Sequence, residues 1–244
     1  MTYQIPPISV SIYILCYNEE LMLPFAINWY KTRFPNAEIT ILDNHSTDRS
    51  SQIARELGCQ EYLFATENKI SDLMYQYLKN NHWKRSKSNW ILCCDVDELL
   101  EINEDHLRNE ENQGTTIIKG EAYNMVNMND DLNIAGIDHG YRDNEVCQLY
   151  DKVILFNKNY ISDINYKIGA HGCVPDGATR YNKNRYILRH YKYINADYMV
   201  ARHKMYAERL SEENLANNWG ANYLDGEQSV RDKFAHYRKL ARKI

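Results

Sequence analysis

The chain has 244 residues, 44% of them hydrophobic and 25% charged, with a formal net charge of −4. That length and apolar content are enough to bury a sizeable core, which excludes a disordered chain. The slightly acidic balance gives no overall drive toward nucleic acid or an anionic membrane.

In chain order, Ser9 to Cys16 reads as a first strand. No basic segment precedes this run, no small-residue cleavage site follows it, and no run approaches the ~18 apolar residues of a membrane helix. A soluble cytoplasmic protein with no signal peptide and no transmembrane segment is therefore expected. Asn18 with Glu19 and Glu20 opens a helix with Phe25, Ala26 and Trp29 on one face, which Pro35 stops. Glu38 to Leu42 is a second strand. The turn Asp43-Asn-His-Ser-Thr-Asp48 leads into a helix through Ile53, Ala54 and Leu57, with Gly58 at its C-terminal cap. Glu61 to Ala65 reads as a third strand and Ile70 to Asn80 as a helix. Strand and helix alternating at this rhythm imply right-handed crossovers and a parallel sheet.

The fourth strand is the stretch Trp90-Ile-Leu-Cys-Cys-Asp-Val-Asp-Glu-Leu-Leu100. Its continuous apolar run suits a strand buried on both faces. It ends on two carboxylates, Asp95 and Asp97, which repel each other unless a cation lies between them. Ligands in open α/β sheets bind at the carboxyl ends of strands, so a divalent metal holding a phosphorylated ligand is one reading. A solvated strand end at a helix N-terminus is the other.

Past Leu100 the pattern loosens. Thr115 to Tyr123, Val146 to Phe156 and Tyr186 to Tyr191 read as strands, Gly169 to Gly177 as a loop, and the chain from Asn195 onward as helical. Cys16, Cys93 and Cys94 lie in apparent buried strands and no C-x-x-C pair occurs, so reduced thiols are expected. His139, Cys147, His171 and Cys173 match none of the usual zinc spacings.

Three landmarks then stand in order after the first, second and fourth strands: Cys16-Tyr-Asn-Glu-Glu20, Asp43-Asn-His-Ser-Thr-Asp-Arg-Ser50 and Asp95-Val-Asp97. The set resembles the nucleotide-sugar glycosyltransferases of the GT-A fold, particularly glycosyltransferase family 2. The resemblance implies an α/β fold: a mostly parallel central sheet flanked by helices, Rossmann-like in its N-terminal half, with a C-terminal helical segment. A single domain over 1–244 is expected, with a nucleotide-binding half (1–100), an acceptor and catalytic half (101–194) and a helical tail (195–244).

The resemblance also implies roles. Cys16, Tyr17, Asn18 and Glu19 would meet the nucleotide, and Asp43 would accept a base N–H; an Asx turn or helix cap is the alternative for Asp43. Asn68 and Asp72 fall where relatives place a further base or ribose contact. Asp97, with Asp95 directly or through water, would hold Mn2+ or Mg2+ against the donor diphosphate, and Asp95 and Val96 would adjoin ribose or sugar. His190, in a segment resembling a metal-binding strand of some relatives, is the third expected ligand, a backbone-bonded sheet histidine being its alternative. Relatives usually use an Asp or Glu general base. The usual Glu-Asp pair is not clear here, and His171 and Asp176 are the candidates by order along the chain, with Asp131 and Asp138 in reserve.

The expected reaction is metal-dependent transfer of a sugar from a nucleoside-diphosphate sugar, a UDP-sugar foremost, to a hydroxyl of a glycan or other acceptor, with no nucleic acid as partner. A haloacid-dehalogenase-like phosphatase is an alternative, because Asp95-Val-Asp-Glu-Leu-Leu100 resembles that family's acidic pair. A non-catalytic nucleotide- or glycan-binding module is another. Val230, Phe234, Tyr237 and Ala241 lie on one side of the last helix with Lys233, Arg238, Lys239, Arg242 and Lys243 elsewhere. That basic amphipathic segment either packs with a solvated face or touches an anionic membrane surface.

Overall fold

A computed structural model describes residues 8–142 and 150–244. The strands are β1 (Val10–Cys16), β2 (Glu38–Asp43), β3 (Gln60–Leu63), β4 (Trp90–Asp95), β5 (Glu98–Leu100), β6 (Ile117–Val126), β7 (His139–Tyr141), β8 (Lys152–Asn157), β9 (Ile161–Asp163), β10 (Asp176–Gly177), β11 (Ile187–Tyr193) and β12 (Arg242–Lys243). The α-helices are α1 (Leu23–Arg33), α2 (Ser50–Glu56), α3 (Asp72–Asn81), α4 (Glu104–Asn112), α5 (Ala196–Arg209), α6 (Glu212–Ala216) and α7 (Glu227–Leu240). Val146 to Leu149 of the strand expected over Val146 to Phe156, and Cys147, lie outside the described residues.

The expected mixed α/β architecture is present. Strands run β3-β2-β1-β4 in parallel and continue through β8, β6, β7 and β12 in antiparallel pairs. The parallel half follows from its connections, since α1, α2 and α3 each carry the chain back across the sheet. Register brings Cys16 level with Asp43, and Leu15 level with Asp95. The three landmark segments therefore share one edge, at the carboxyl ends of the parallel strands. β11 then lies between β5 and β6, antiparallel to the first and parallel to the second, with His190 opposite Glu98 and Asn124.

The core is made by strands whose residues are buried on both faces. Ile12, Ile14, Trp90 and Leu92 are fully buried and cluster with Leu23, Ala26, Ile27 and Tyr30 of α1, while Ile91 is buried in a second cluster with Leu78, Trp83 and Phe156. Covering helices on both faces leave no polar side for these strands, which is why they read as unbroken apolar runs.

Several boundaries differ from the sequence reading. The first helix begins at Leu23, not at Asn18. Asn18 has φ 51°, its side chain accepts from the Thr47 N–H, Glu19 N–H donates to Ser50 Oγ, and Glu20 N–H donates to Asp48 Oδ2. Residues 18–20 are thus used in tying two loops together, and Pro24 gives the helix its start. The third helix begins at Asp72 because Ser71 caps it, its Oγ accepting from Met74 N–H at 3.3 Å. Gly58, at φ +65°, ends the α2 segment in a conformation that other residues rarely adopt.

The tail packs on the rest of the chain. α5 and α7 bury Met199, Val230 and Phe234 with Val126 and Tyr193, and β12 closes against β7.

Candidate active site

The first and third landmarks open into a cavity of about 420 Å3 walled by residues from both halves of the chain. From the first half come Cys16, Tyr17, Glu19, Asp72, Asp95, Val96 and Asp97; from the second come His171, His190 and a set of tail residues. The site is built at the carboxyl ends of β1 and β4, as expected for an open α/β sheet.

Asp95 ends β4, and the chain turns at Val96-Asp97 before β5 returns. The Asp97 carbonyl accepts from Tyr191 N–H at 2.8 Å, which fastens this turn to β11. The Asp97 carboxylate lies 3.8 Å from His190 Nε2. His190 Nδ1 meets Asn124 Oδ1 at 2.9 Å. An amide oxygen only accepts, so the neutral ring carries its proton on Nδ1 and turns the Nε2 lone pair toward Asp97. Burial holds the His190 imidazole below its ordinary value, outweighing the attraction of Asp97 and Glu98, so the ring stays neutral.

Asp95 is in a different state. Its carboxylate accepts from Lys79 at 2.7 Å and lies 3.6 Å from Lys152, and Lys152 is also paired with Glu98. Lys79, Lys152 and Glu98 are all buried. Burial works against ionising Asp95, yet the two ammonium groups overcome it and hold the carboxyl well below the usual range. Glu98 is held down in the same sense, by Lys152 against burial. Two lysines and two carboxylates thus form a charge-balanced cluster beneath the cavity.

This geometry revises the expected three-residue metal set. Among the described residues no group of three or more His, Cys, Asp or Glu side chains is arranged to hold a cation. Asp97 and His190 are arranged as a pair, one oxygen and one neutral nitrogen, and suit Mn2+ or Mg2+ whose remaining positions are filled by water or phosphate oxygens. Asp95 is set apart from them by its lysines.

Other expected residues divide. His171 reaches the cavity from the loop after a 3-10 turn at Ile168–Ala170, its ring 5.3 Å from that of Tyr150, which in turn lies 5.5 Å from His190. Desolvation, with Lys152 nearby, holds the His171 imidazole down to about 4. Asp72 lines the cavity and accepts from Asn214 Nδ2 at 2.8 Å; burial pushes its carboxyl up.

Asp176 stands elsewhere, exposed on β10, where its carboxylate accepts from Asn165 at 3.0 Å, and it is not part of the cavity wall. Asp43 is 1% exposed and accepts from Ser46 N–H at 3.1 Å and Ser46 Oγ at 2.5 Å. These bonds form an Asx turn that shapes its own loop. Asn68 also lies off the wall, accepting from the Tyr17 hydroxyl at 2.9 Å, and Asn18 is used in bracing the Thr47 loop. Asp131 and Asp138 bond Asn127 and His139.

The tail supplies a wall that sequence reasoning missed. Arg202 of α5 pairs with Glu19, whose other oxygen accepts from the Tyr206 hydroxyl at 3.0 Å. Burial raises the Glu19 carboxyl despite this arginine. Tyr198, Trp219, Tyr223 and Arg209 complete the wall. For Lys152 a sequence signal existed: a lone lysine heading the apolar run Val153-Ile-Leu-Phe156 implies a buried cation with a partner. For Arg202 and Arg209 there was none, since each sits in an ordinary-looking polar helix.

Residues 11–109 match the family model described as glycosyl transferase family 2. The match holds all three landmarks and covers less than half of the chain. Protein RfbJ of Shigella flexneri is 40% identical over 50 residues, which are 20% of this chain and 39% of that protein. The chain thus matches well under half the length of this relative. Among solved structures, S. aureus TarS 1-349 in complex with UDP-GlcNAc is 12% identical over 89% of this chain and 72% of that one, at a TM-score of 0.43. Glucosyl-3-phosphoglycerate synthase from Mycobacterium tuberculosis, in complex with Mn2+, UDP and glucosyl-3-phosphoglycerate, is 14% identical over 47% of this chain and 44% of that one, at 0.34.

No helix among the described residues is long and apolar enough to cross a membrane. Of the basic residues in and after α7, Arg231 pairs with Asp197 and Glu227, Lys233 with Asp225, Arg238 with Asp130 and Lys243 with Asp138. These pairs neutralise much of the face expected to meet an anionic surface.

Proposed function

We propose that the protein is a glycosyltransferase that takes a nucleoside-diphosphate sugar, with UDP-sugars first among the donors, and passes the sugar to a hydroxyl acceptor. The carrying observation is the convergence of Asp97, His190 and the Cys16–Glu19 loop on one cavity, within and beside the segment that matches the family.

Asp97 and His190 would hold a divalent cation. When bound, the ion supplies positive charge against the departing diphosphate. Lys79 and Lys152 keep Asp95 ionised and fixed, so that it can accept hydrogen bonds from donor hydroxyls without needing protons of its own. In the transfer, the acceptor oxygen forms a bond to the anomeric carbon as the bond from that carbon to the diphosphate oxygen breaks. The electron pair of the broken bond leaves with the diphosphate, and the hydroxyl proton passes to His171. That imidazole is neutral at physiological pH, and because burial and Lys152 make it a weak base, its proton affinity must rise when the departing diphosphate brings negative charge beside it.

Calorimetric titration with UDP, GDP, CDP and ADP, each with Mn2+ and with chelator, tests the reading on wild type and Asp97→Ala. Metal-dependent binding of a diphosphate that the variant loses, followed by release of that nucleotide from its sugar conjugate in the presence of an acceptor, supports it. Absence of binding by any nucleotide overturns it and brings the phosphatase and binding-module readings forward.

A further inference from the structure

Arg209, the last residue of α5, is only 4% exposed, yet it carries a charge that nothing in the described structure balances. Its Nε donates to the Asn68 carbonyl at 3.1 Å, and its guanidinium lies 3.0 Å from the ring centroid of Tyr17. Nη1 and Nη2 are buried with no hydrogen-bond partner. Burial depresses its affinity for its proton, and among the groups that act on it most strongly are the phenols of Tyr75, Tyr17 and Tyr206. Elsewhere in the cavity the buried cations Lys79, Lys152 and Arg202 all have carboxylate partners. A buried guanidinium with two unused donor groups is costly, and such a group on a cavity wall is completed by a ligand.

Its place indicates which part of a ligand. Arg209 stacks on Tyr17 of the expected nucleotide loop, and its carbonyl accepts from Ile70 N–H at 2.6 Å, just before α3. Tyr75 is one helical turn before Lys79, the residue that holds Asp95. Arg209 is therefore on the Tyr17 and Tyr75 side of the cavity, a step away from the acidic pair where a diphosphate would lie.

We propose that Arg209 reads the base of the bound nucleotide, its Nη edge donating to the carbonyl that uracil carries at C4 and guanine at C6. This rests on the glycosyltransferase reading. A guanidinium only donates, so the cavity favours uracil and guanine, which present a carbonyl oxygen where cytosine and adenine present an amino group.

Calorimetric titration of UDP, GDP, CDP and ADP with Mn2+, on wild type and on Arg209→Met, tests it. Wild type prefers UDP or GDP over both CDP and ADP, and Arg209→Met binds the preferred nucleotide about 10- to 100-fold more weakly and loses the preference. The variant melts at an unchanged or higher temperature, because an unpaired buried charge has been replaced by an apolar side chain of similar length. Arg209→Lys, which keeps the charge without the planar fork, loses the preference too and supplies the comparison if the Met variant does not fold. Equal weakening of all four nucleotides by the variant places the contact at the phosphates and overturns the proposal. So does a wild type that binds all four alike, or a variant that binds as wild type does. If wild type binds no nucleotide, the glycosyltransferase reading itself has failed, a result distinct from these.

Discussion

Two regions of the cavity wall hold buried charge in opposite ways. At the end of β4, Lys79 and Lys152 face Asp95 and Glu98, and the four charges cancel. At the end of α5, Arg209 stands among phenols with two donor groups unused. A balanced cluster is complete in the folded chain, and removing one member costs stability. An unbalanced cation is incomplete until something binds, and removing it costs binding.

The sharpest way to break this contrast is to change partners in the balanced cluster. Lys152→Met leaves Glu98 buried without its main cation and should cost about 3–5 kcal/mol of stability, measured by urea unfolding. Lys152→Met combined with Glu98→Gln should recover most of that loss, because no unpaired charge remains. A single variant as stable as wild type would show that the cluster contributes nothing net.

Next in size is an effect on rate alone. Asp97 makes no ion pair with a lysine among the described residues, so Asp97→Ala should leave the urea midpoint near wild type while lowering transfer by about 10²- to 10³-fold, an estimate borrowed from the loss of one transition-state electrostatic contact. Asp95→Asn, by contrast, should lower both rate and stability, because it leaves Lys79 without its charged partner.

The pH dependence of stability separates the two regions further. Asp95 and Glu98 have folded pKa values below their unfolded ones, so their contribution is fully present above about pH 4.5 and is lost as pH falls through the folded values. His171 has the same sense for a different reason. Its folded value of about 4 lies below the ordinary 6.5, so the unfolded chain binds more protons between these values and stability declines as pH drops from 6.5 toward 4. NMR titration of the His171 ring should show it largely neutral until the pH approaches 4; a midpoint near 6.5 would remove the desolvation argument. Arg209 remains charged over this range and should add no slope, so Arg209→Met should leave the shape of the stability curve unchanged.

The smallest effect concerns how the tail is held. Arg202→Met leaves Glu19 buried without its cation, and burial already pushes that carboxyl up. The carboxyl should then take up a proton rather than stay charged, so the penalty should be smaller than for Lys152→Met at pH 5 and grow toward pH 8. Equal penalties at both pH values would show that Glu19 does not adjust in this way.

The parallel half of the fold was legible because its physics is local. Apolar runs such as Ile12–Ile14 and Trp90–Cys94, the helices between them and the carboxylates at strand ends are set by short-range pattern. Even there, the start of α1 depended on whether two loops met. Loop 18–20 is satisfied by Thr47, Asp48 and Ser50, some thirty residues onward, which no local pattern reveals.

The sequence by itself determined the alternation of strand and helix, the shared edge on which the three landmarks fall and the candidacy of Asp97 and His190. Only the tertiary structure decided which charges are paired. Lys79 and Lys152 come from separate elements to meet Asp95, and α5 returns more than a hundred residues later to set Arg202 on Glu19 and Arg209 on Tyr17. An ion pair depends on distance and burial, and for residues so far apart in the chain both are fixed by the packing of the sheet and tail.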